Sequence, residues 1–243
     1  MIAGGIRIAM WSGPRNISTA MMRSFENRPD TVVIDEPFYA HYLDKTGLEH
    51  PGRDKVLASQ NTDWNEVATM LLGPIPEGQL VWYQKHMAQH NLEGCNLSWT
   101  GNVNNCFLIR DPEEVIHSYG KRFPIENELL LGFVQQAELF RDILDQTGIA
   151  SPVLDAKDIL TNPQNILEKL CAVIGIDFTK DMLSWPAGPR ESDGIWAPYW
   201  YDRVEASTGF NPYRKKEIMI PENQQYLLEK CCPAYEYLFQ YKL

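Results

Sequence analysis

The stretch WSGPRNISTAMMRSF, residues 11–25, constrains the fold of this chain more than any other. The run before it, IRIAMW, is short and apolar and lies between Gly5 and Gly13, the signature of a strand buried on both faces of a parallel sheet. Gly13 and Pro14 stop that strand. Beyond Asn16, the residues Ile17, Ala20, Met21, Ser24 and Phe25 recur with the spacing of one face of an amphipathic helix. A strand that feeds a helix through so short a turn brings backbone N–H groups and the positive end of a helix dipole to one point, where an anion binds. Arg15 adds a full charge there, and Ser18 and Thr19 add hydroxyl donors. Gly13, Pro14, Arg15, Asn16, Ser18 and Thr19 therefore form a candidate phosphate-binding loop.

A nucleoside-triphosphate loop of the form G-x-x-x-x-G-K-[ST] needs a lysine for the terminal phosphates and a second glycine. Gly13 is followed by Ser18 and Thr19 with neither, which weighs against an ATPase or GTPase. On this motif alone an ordinary strand-turn-helix with a Ser/Thr cap explains the residues equally well.

The rest of the chain alternates strand and helix. Residues 31–37 (TVVIDEP), 80–87 (LVWYQKHM), 105–112 (NCFLIRDP) and 152–159 (PVLDAKDI) read as buried strands. Helices are expected over residues 64–72, from Pro112 to about Arg122 with Asp111 as cap, and roughly over 126–147 with Gly148 as stop. Another runs from Pro163, capped by Asn162, to the stop at Gly175. Residues 38–63 read as a polar surface excursion with room for one short helix. Residues 222–243 read as a helix interrupted at Pro233. This order predicts an α/β fold: a P-loop-type parallel β-sheet of about five strands, flanked by helices on both faces. It is expected to form a single domain over residues 1–243, in which 185–221 is an irregular, aromatic-rich lid or wall. Ligands of such sheets bind at the carboxyl ends of the strands, so residues 12–19, 35–37, 85–90 and 110–118 should line the site.

Charge narrows the partners. With 22 basic and 32 acidic side chains the net charge is −10, and the pI is near 5.0. Nucleic acid and anionic membrane are unsuitable partners for such a surface, so a phosphate site must be a local positive pocket in an acidic body. The expected partner is a small molecule, and the oligomeric state, a homodimer included, is open. Five cysteines without C-x-x-C spacing indicate neither a disulfide framework nor a metal site, and a reduced, cytoplasmic setting is the simplest expectation. No basic leader or membrane-length apolar run is evident at the N-terminus.

A second motif, FLIRDPEEVIHSYGKR at residues 107–122, is decisive. Arg110 ends a strand and Ser118 lies eight residues on, two turns into the next helix. An arginine fork binds phosphate bidentately, and the serine can face the same strand end. The weaker alternative is an arginine that neutralises Asp111 or Glu114 beside a routine helix cap. Arg110, Asp111, Pro112 and Ser118 resemble the R-[DN]-P-x-x-x-x-x-S pattern with which sulfotransferases hold the 3′-phosphate of their donor. Pro14-Arg15 and Ser18-Thr19 are similar to the Pro-Lys and Thr-Thr of their 5′-phosphosulfate loop, with arginine for lysine, Ile17 for glycine and Ala20 for tryptophan. Two such motifs in the right order at two strand ends identify the chain as resembling the bacterial sulfotransferase-like branch of P-loop proteins.

The resemblance implies that 3′-phosphoadenosine 5′-phosphosulfate (PAPS) is the co-substrate, with no metal. A sulfuryl group would pass in line to a hydroxyl or amine of a small-molecule or carbohydrate acceptor, with Arg15 neutralising charge on the leaving nucleotide. Three residues compete as the base. Glu36, beside the loop, is similar to the glutamate of some bacterial carbohydrate sulfotransferases. Lys85-His86 resembles the K-x-H region of cytosolic sulfotransferases, although adjacent residues on a strand point to opposite faces. His90 is the third. Arg214-Lys215-Lys216 is similar to the Arg-Lys-Gly closing motif in its first two residues only. A small-molecule kinase and a non-catalytic nucleotide- or anion-binding protein are the alternatives.

Overall fold

The computed structural model describes residues 5–215 and 217–243. Strands β1 (Ile6–Ser12), β2 (Thr31–Asp35), β3 (Val81–Met87), β4 (Asn104–Ile109) and β5 (Val153–Asp155) form one parallel sheet in the order β2-β3-β1-β4-β5. The apolar run of β1 earns its central position. Ile8 and Met10 pack on one face with Tyr83 and Leu108, while Ala9 and Trp11 pack on the other with Trp82 and Phe107.

The helices are α1 (Ser18–Glu26), α2 (Tyr39–Thr46), α3 (Arg53–Ser59), α4 (Trp64–Leu72), α5 (Pro112–Gly120), α6 (Phe133–Thr147), α7 (Ala156–Thr161), α8 (Pro163–Ile174), α9 (Ala197–Trp200), α10 (Asp202–Glu205) and α11 (Gln225–Phe239). Met21, Phe25, Ile159, Leu167 and Leu170 bring α1, α7 and α8 against one face of the sheet. Leu71, Val115, Phe140, Leu227 and Leu238 bring α4, α5, α6 and α11 against the other. A third cluster, with Tyr39, Leu43, Val56, Trp196 and Tyr201, joins α2 and α3 to the segment around α9.

Four local expectations change. β5 ends at Asp155, because the Asp155 carboxylate accepts from the Lys157 amide at 2.7 Å and starts α7 there. Residues 38–63 hold two helices, α2 and α3, in place of one. The helix expected from residue 126 begins only at Phe133, after a 3₁₀ turn over Glu128–Leu131 and a left-handed Gly132 at φ 73°. α11 runs through Pro233 without interruption: its buried face of Leu227, Cys231, Ala234 and Leu238 outweighs the hydrogen bond that proline forfeits. Among its described residues, the irregular stretch 185–221 carries only the short helices α9 and α10.

Helix ends follow sequence chemistry. Pro112 opens α5, and the Asp111 carboxylate accepts from the Glu113 and Glu114 amides at 2.9 and 3.3 Å. Gly148 and Gly175 close α6 and α8 in left-handed conformations. Loss of the α5 cap in Asp111→Ala should cost about 1 kcal/mol, read as a lower urea midpoint at unchanged slope.

Candidate active site

The carboxyl ends of β1 and β4 part after Ser12 and Leu108, and two side-chain amides bridge the gap. Gln136 donates from Nε2 to the carbonyls of Trp11 and Leu108, each at 3.0 Å, and Asn16 donates from Nδ2 to Leu108 at 3.1 Å. Both residues are buried. They fix the loop between β1 and α1, whose turn is so tight that Arg15 and Ile17 adopt left-handed backbone at φ 63° and 58°. Such strain costs non-glycine residues on the order of 1–3 kcal/mol and marks functional turns. Gly13 is required for packing, since a Cβ there would meet the Leu131 carbonyl at 2.6 Å. Ile17 at the cap position of α1 has no side-chain acceptor, so the Ser/Thr cap of the alternative reading does not form. The N–H groups of the first turn of α1 have no intrahelical acceptors.

The loop opens onto a cavity of about 630 Å³. Pro14, Arg15, Asn16, Ser18, Thr19, Glu36, Lys85, His90, Arg110 and Ser118 all line it; Gly13 and His86 do not. The two motifs touch directly. Arg15 donates from Nε to the Ser118 hydroxyl at 3.1 Å, and Arg110 donates from Nη1 to the Arg15 carbonyl at 2.7 Å. Arg110 is also paired with Glu114, at 2.8 Å through Nε and 2.7 Å through Nη2, and the other Glu114 oxygen accepts from the Tyr213 hydroxyl at 2.9 Å. Burial, together with the guanidinium groups of Arg122, Arg203 and Arg110, brings the Arg15 pKa down to about 10. A concentration of positive charge in an acidic body is what an anion site of high charge requires.

The opposite wall is built on the ends of β2 and β3. Lys85, with a side chain 1% exposed, donates to Asp35 Oδ1 at 2.7 Å, to Glu36 Oε1 at 2.5 Å and to the Tyr201 hydroxyl at 2.8 Å. Burial opposes its charge, but Asp35 and Glu36 prevail and hold it well above the ordinary lysine value. Glu36 sits at φ 42°. Burial pushes its carboxyl up to about 7, Lys85 opposes that rise, and Asp35 adds to it.

His86 alternates with Lys85 along β3 and so enters the other face, as the strand period requires. It stacks on Trp11 at 4.3 Å, with Phe38 and Trp99 close by, and burial lowers its pKa to about 3. It is a core residue behind the cavity. His90 does face the cavity. It is held flat between Tyr39 and Tyr42, its Nε2 is 3.9 Å from Glu36 Oε2, and burial keeps it well below the usual histidine value.

Gln89 lines the cavity within the expected 85–90 stretch and Tyr201 and Arg203 within the irregular wall, whereas Tyr39, Tyr42 and His50 come from residues 38–63, which read as a surface excursion. The aromatic stretch 196–201 was the available signal, and Trp196, Trp200 and Tyr201 line the cavity while Tyr199 does not. Arg214 also lines it, and Lys216 lies outside the described residues. Among the described residues no cluster of His, Cys, Asp and Glu converges as a metal site, and no helix is long and apolar enough to cross a membrane.

The loop after β1 and the arginine-serine pair after β4 thus meet in one cavity at adjacent strand ends, and comparison with known proteins supplies the family. A family model described as "Sulfotransferase domain" matches residues 6–239. The chain belongs to that family. Branched-chain-amino-acid aminotransferase-like proteins 1 and 2 of Arabidopsis thaliana are each 35% identical to it, over 232 and 234 residues. Those matches take in 95% of this chain but 41% of each relative, so the chain spans less than half their length. Among solved structures, a sulfotransferase from Alicyclobacillus acidocaldarius superposes with a TM-score of 0.55 at 12% identity, covering 98% of this chain and 96% of that one. The sulfotransferase domain from the curacin biosynthetic pathway gives 0.51 at 16% identity, covering 93% and 97%. Both share the fold.

The Glu36 carboxyl has a direct stability signature. Its folded value lies above the 4.5 of an ordinary glutamate, so between about 4.5 and about 7 the folded state binds more protons than the unfolded chain. Its contribution is therefore fully present at low pH and is lost as pH rises through that window. The stability of wild type relative to Glu36→Gln should fall across pH 4.5–7 in urea titrations; a constant difference would mean that Glu36 ionises as a surface acid does.

Proposed function

We propose that the protein transfers the sulfuryl group of PAPS to a hydroxyl or amine of a small-molecule or carbohydrate acceptor. The observation that carries this reading is the contact between Arg15 and Ser118, which unites two anion-binding motifs from separate strand ends in one cavity that also holds Glu36. The donor set fits the co-substrate. Arg15, Ser18, Thr19 and the first turn of α1 suit a 5′-phosphosulfate, and Arg110 with Ser118 suits a 3′-phosphate.

Sulfuryl transfer, like phosphoryl transfer, asks the protein for position and charge more than for covalent chemistry. The acceptor oxygen or nitrogen bonds to sulfur as the bond from sulfur to the bridging oxygen breaks, leaving adenosine 3′,5′-bisphosphate. Arg15 stabilises the charge gathered on that oxygen. Glu36 takes the acceptor proton: it faces the cavity, and a carboxyl near neutrality in pKa suits a general base at physiological pH. Lys85 has its three donors engaged by Asp35, Glu36 and Tyr201, so its part is to hold Glu36.

Calorimetric titration with adenosine 3′,5′-bisphosphate, beside ATP with magnesium, tests the donor site. Binding of the bisphosphate alone is expected, and binding of ATP alone would make this a kinase-like protein. Arg110→Ala should weaken bisphosphate binding by about 2 kcal/mol or more, because it strips a charge-assisted contact; equal affinity would sink that assignment. With a panel of hydroxyl and amine acceptors and sulfur-labelled PAPS, Glu36→Gln should slow transfer at least about 100-fold while bisphosphate affinity holds.

A further inference from the structure

The Lys85 ammonium is one corner of a closed hydrogen-bonded ring. Lys85 donates to Asp35 Oδ1 and to the Tyr201 hydroxyl, and Tyr201 donates to Asp35 Oδ2 at 2.6 Å. Each corner is buried. Tyr201 also accepts from Trp196 Nε1 at 3.2 Å, and Asp35 Oδ2 accepts from the Gly194 amide at 3.1 Å. The third proton of Lys85 goes to Glu36. Asp35 thus gathers three donors, two of them from the segment 194–201, while Glu36 has one.

That segment is tied to the phosphate loop's own helix. Arg23 of α1, itself buried, pairs with Asp193 at 2.6 Å. Gly194 then passes so close under the Trp196 ring that a Cβ would come within 2.0 Å of it. The turn that delivers the Gly194 amide and the Tyr201 hydroxyl to Asp35 is therefore available only with glycine at that position.

We propose that Asp35 and Tyr201 are positioning residues for the Glu36 base: by holding the Lys85 ammonium between them they set how much of its charge reaches Glu36, and they make that setting depend on the segment 194–201 being seated on the ends of β2 and β3. The role assigned to Glu36 in sulfuryl transfer underlies the catalytic meaning of this inference; the network itself does not depend on it. The titratable groups facing Glu36 are Lys85 and Asp35 from the strands, His90 at 3.9 Å, Tyr39 from α2 and the Tyr201 hydroxyl, which burial keeps protonated. His90 is held well below the usual histidine value by burial, and Tyr39 is pushed up by burial, so both are uncharged at neutral pH. Lys85 and Asp35 are then the two charges that govern Glu36.

The two positions act in opposite directions. Removing the Tyr201 hydroxyl frees one Lys85 proton and strips the Asp35 carboxylate of a donor; the under-solvated Asp35 carboxylate is the stronger claimant on the ammonium, so less of it reaches Glu36. Removing the Asp35 charge takes away a repelling carboxylate and leaves Lys85 to Glu36. Titration of the Glu36 carboxyl by carbon-13 NMR, in protein labelled at the glutamate side-chain carboxyl and assigned by loss of the signal in Glu36→Gln, reads this without any acceptor. Tyr201→Phe should raise the midpoint by about half a pH unit or more, and Asp35→Asn should lower it by about one unit, a tenfold change in acid constant. A purely structural role for either residue would alter stability and leave the midpoint alone.

Tyr201→Phe keeps the ring and is the variant expected to fold in any event. A Tyr201→Phe midpoint equal to wild type, or shifted downward, overturns the inference. If the midpoints move as stated while Glu36→Gln still transfers sulfate at the wild-type rate, the network stands and Glu36 is not the base. If Glu36→Gln is inactive and the Tyr201→Phe midpoint does not move, the base assignment stands and the positioning inference falls.

Discussion

A single ammonium group buried at the end of a parallel sheet determines how half of this cavity is built. Lys85 is almost wholly removed from water, and an unpaired charge in such a place would be prohibitive. Asp35 and Glu36 are therefore brought to the adjacent strand end, one beyond what charge neutrality needs. The pair register between β2 and β3 delivers them, since Asp35 stands directly opposite Lys85. Tyr201 completes the set, and with it a segment that carries only two short helices among its described residues acquires a fixed place. What looks from the chain like a loose aromatic stretch is held by polar bonds to one buried cation.

The other half of the cavity rests on backbone geometry. Arg15 and Ile17 adopt left-handed conformations that most side chains avoid, and Gln136 and Asn16 reach across the parting strands to take up the carbonyls freed there. The family pattern has glycine where this chain has Ile17. Ile17 adopts the required conformation all the same, with its side chain packed against the core under α1, so burial offsets backbone strain. Arginine in place of the usual loop lysine brings a fork in place of a point charge. Arg15 uses that fork to reach Ser118, which ties the first motif to the second.

Much of this was legible in the sequence because the signals were local. The central strand announced itself as an apolar run between glycines, α5 by Asp111-Pro112, and α8 by Asn162-Pro163 and Gly175. Signals failed where tertiary contacts overrode them. Pro233 reads as a break, yet the buried face of α11 carries the helix across it. Asp155 reads as the middle of a strand, yet its carboxylate caps the next helix. Lys85 and His86 are adjacent letters with separate fates, one in the cavity and one in the aromatic core behind it, and the strand period foretold that they would part. It could not foretell that Tyr201, more than a hundred residues away, would share a hydrogen bond with Lys85.

The distribution of charge has a kinetic meaning as well. The chain carries a net charge of −10, yet Arg15, Arg110, Arg203 and Arg214 all face one cavity. An anion approaching from solution meets a body of repelling net charge and, at that mouth, a cluster of guanidinium groups. The low-dielectric walls concentrate the field there, so encounter is guided by a gradient and not left to random collision with the whole surface. Such guidance fades as ionic strength rises and the screening length shrinks to the width of the opening. On the proposed reading the acidic exterior is part of recognition, since it keeps an anionic donor from lingering elsewhere.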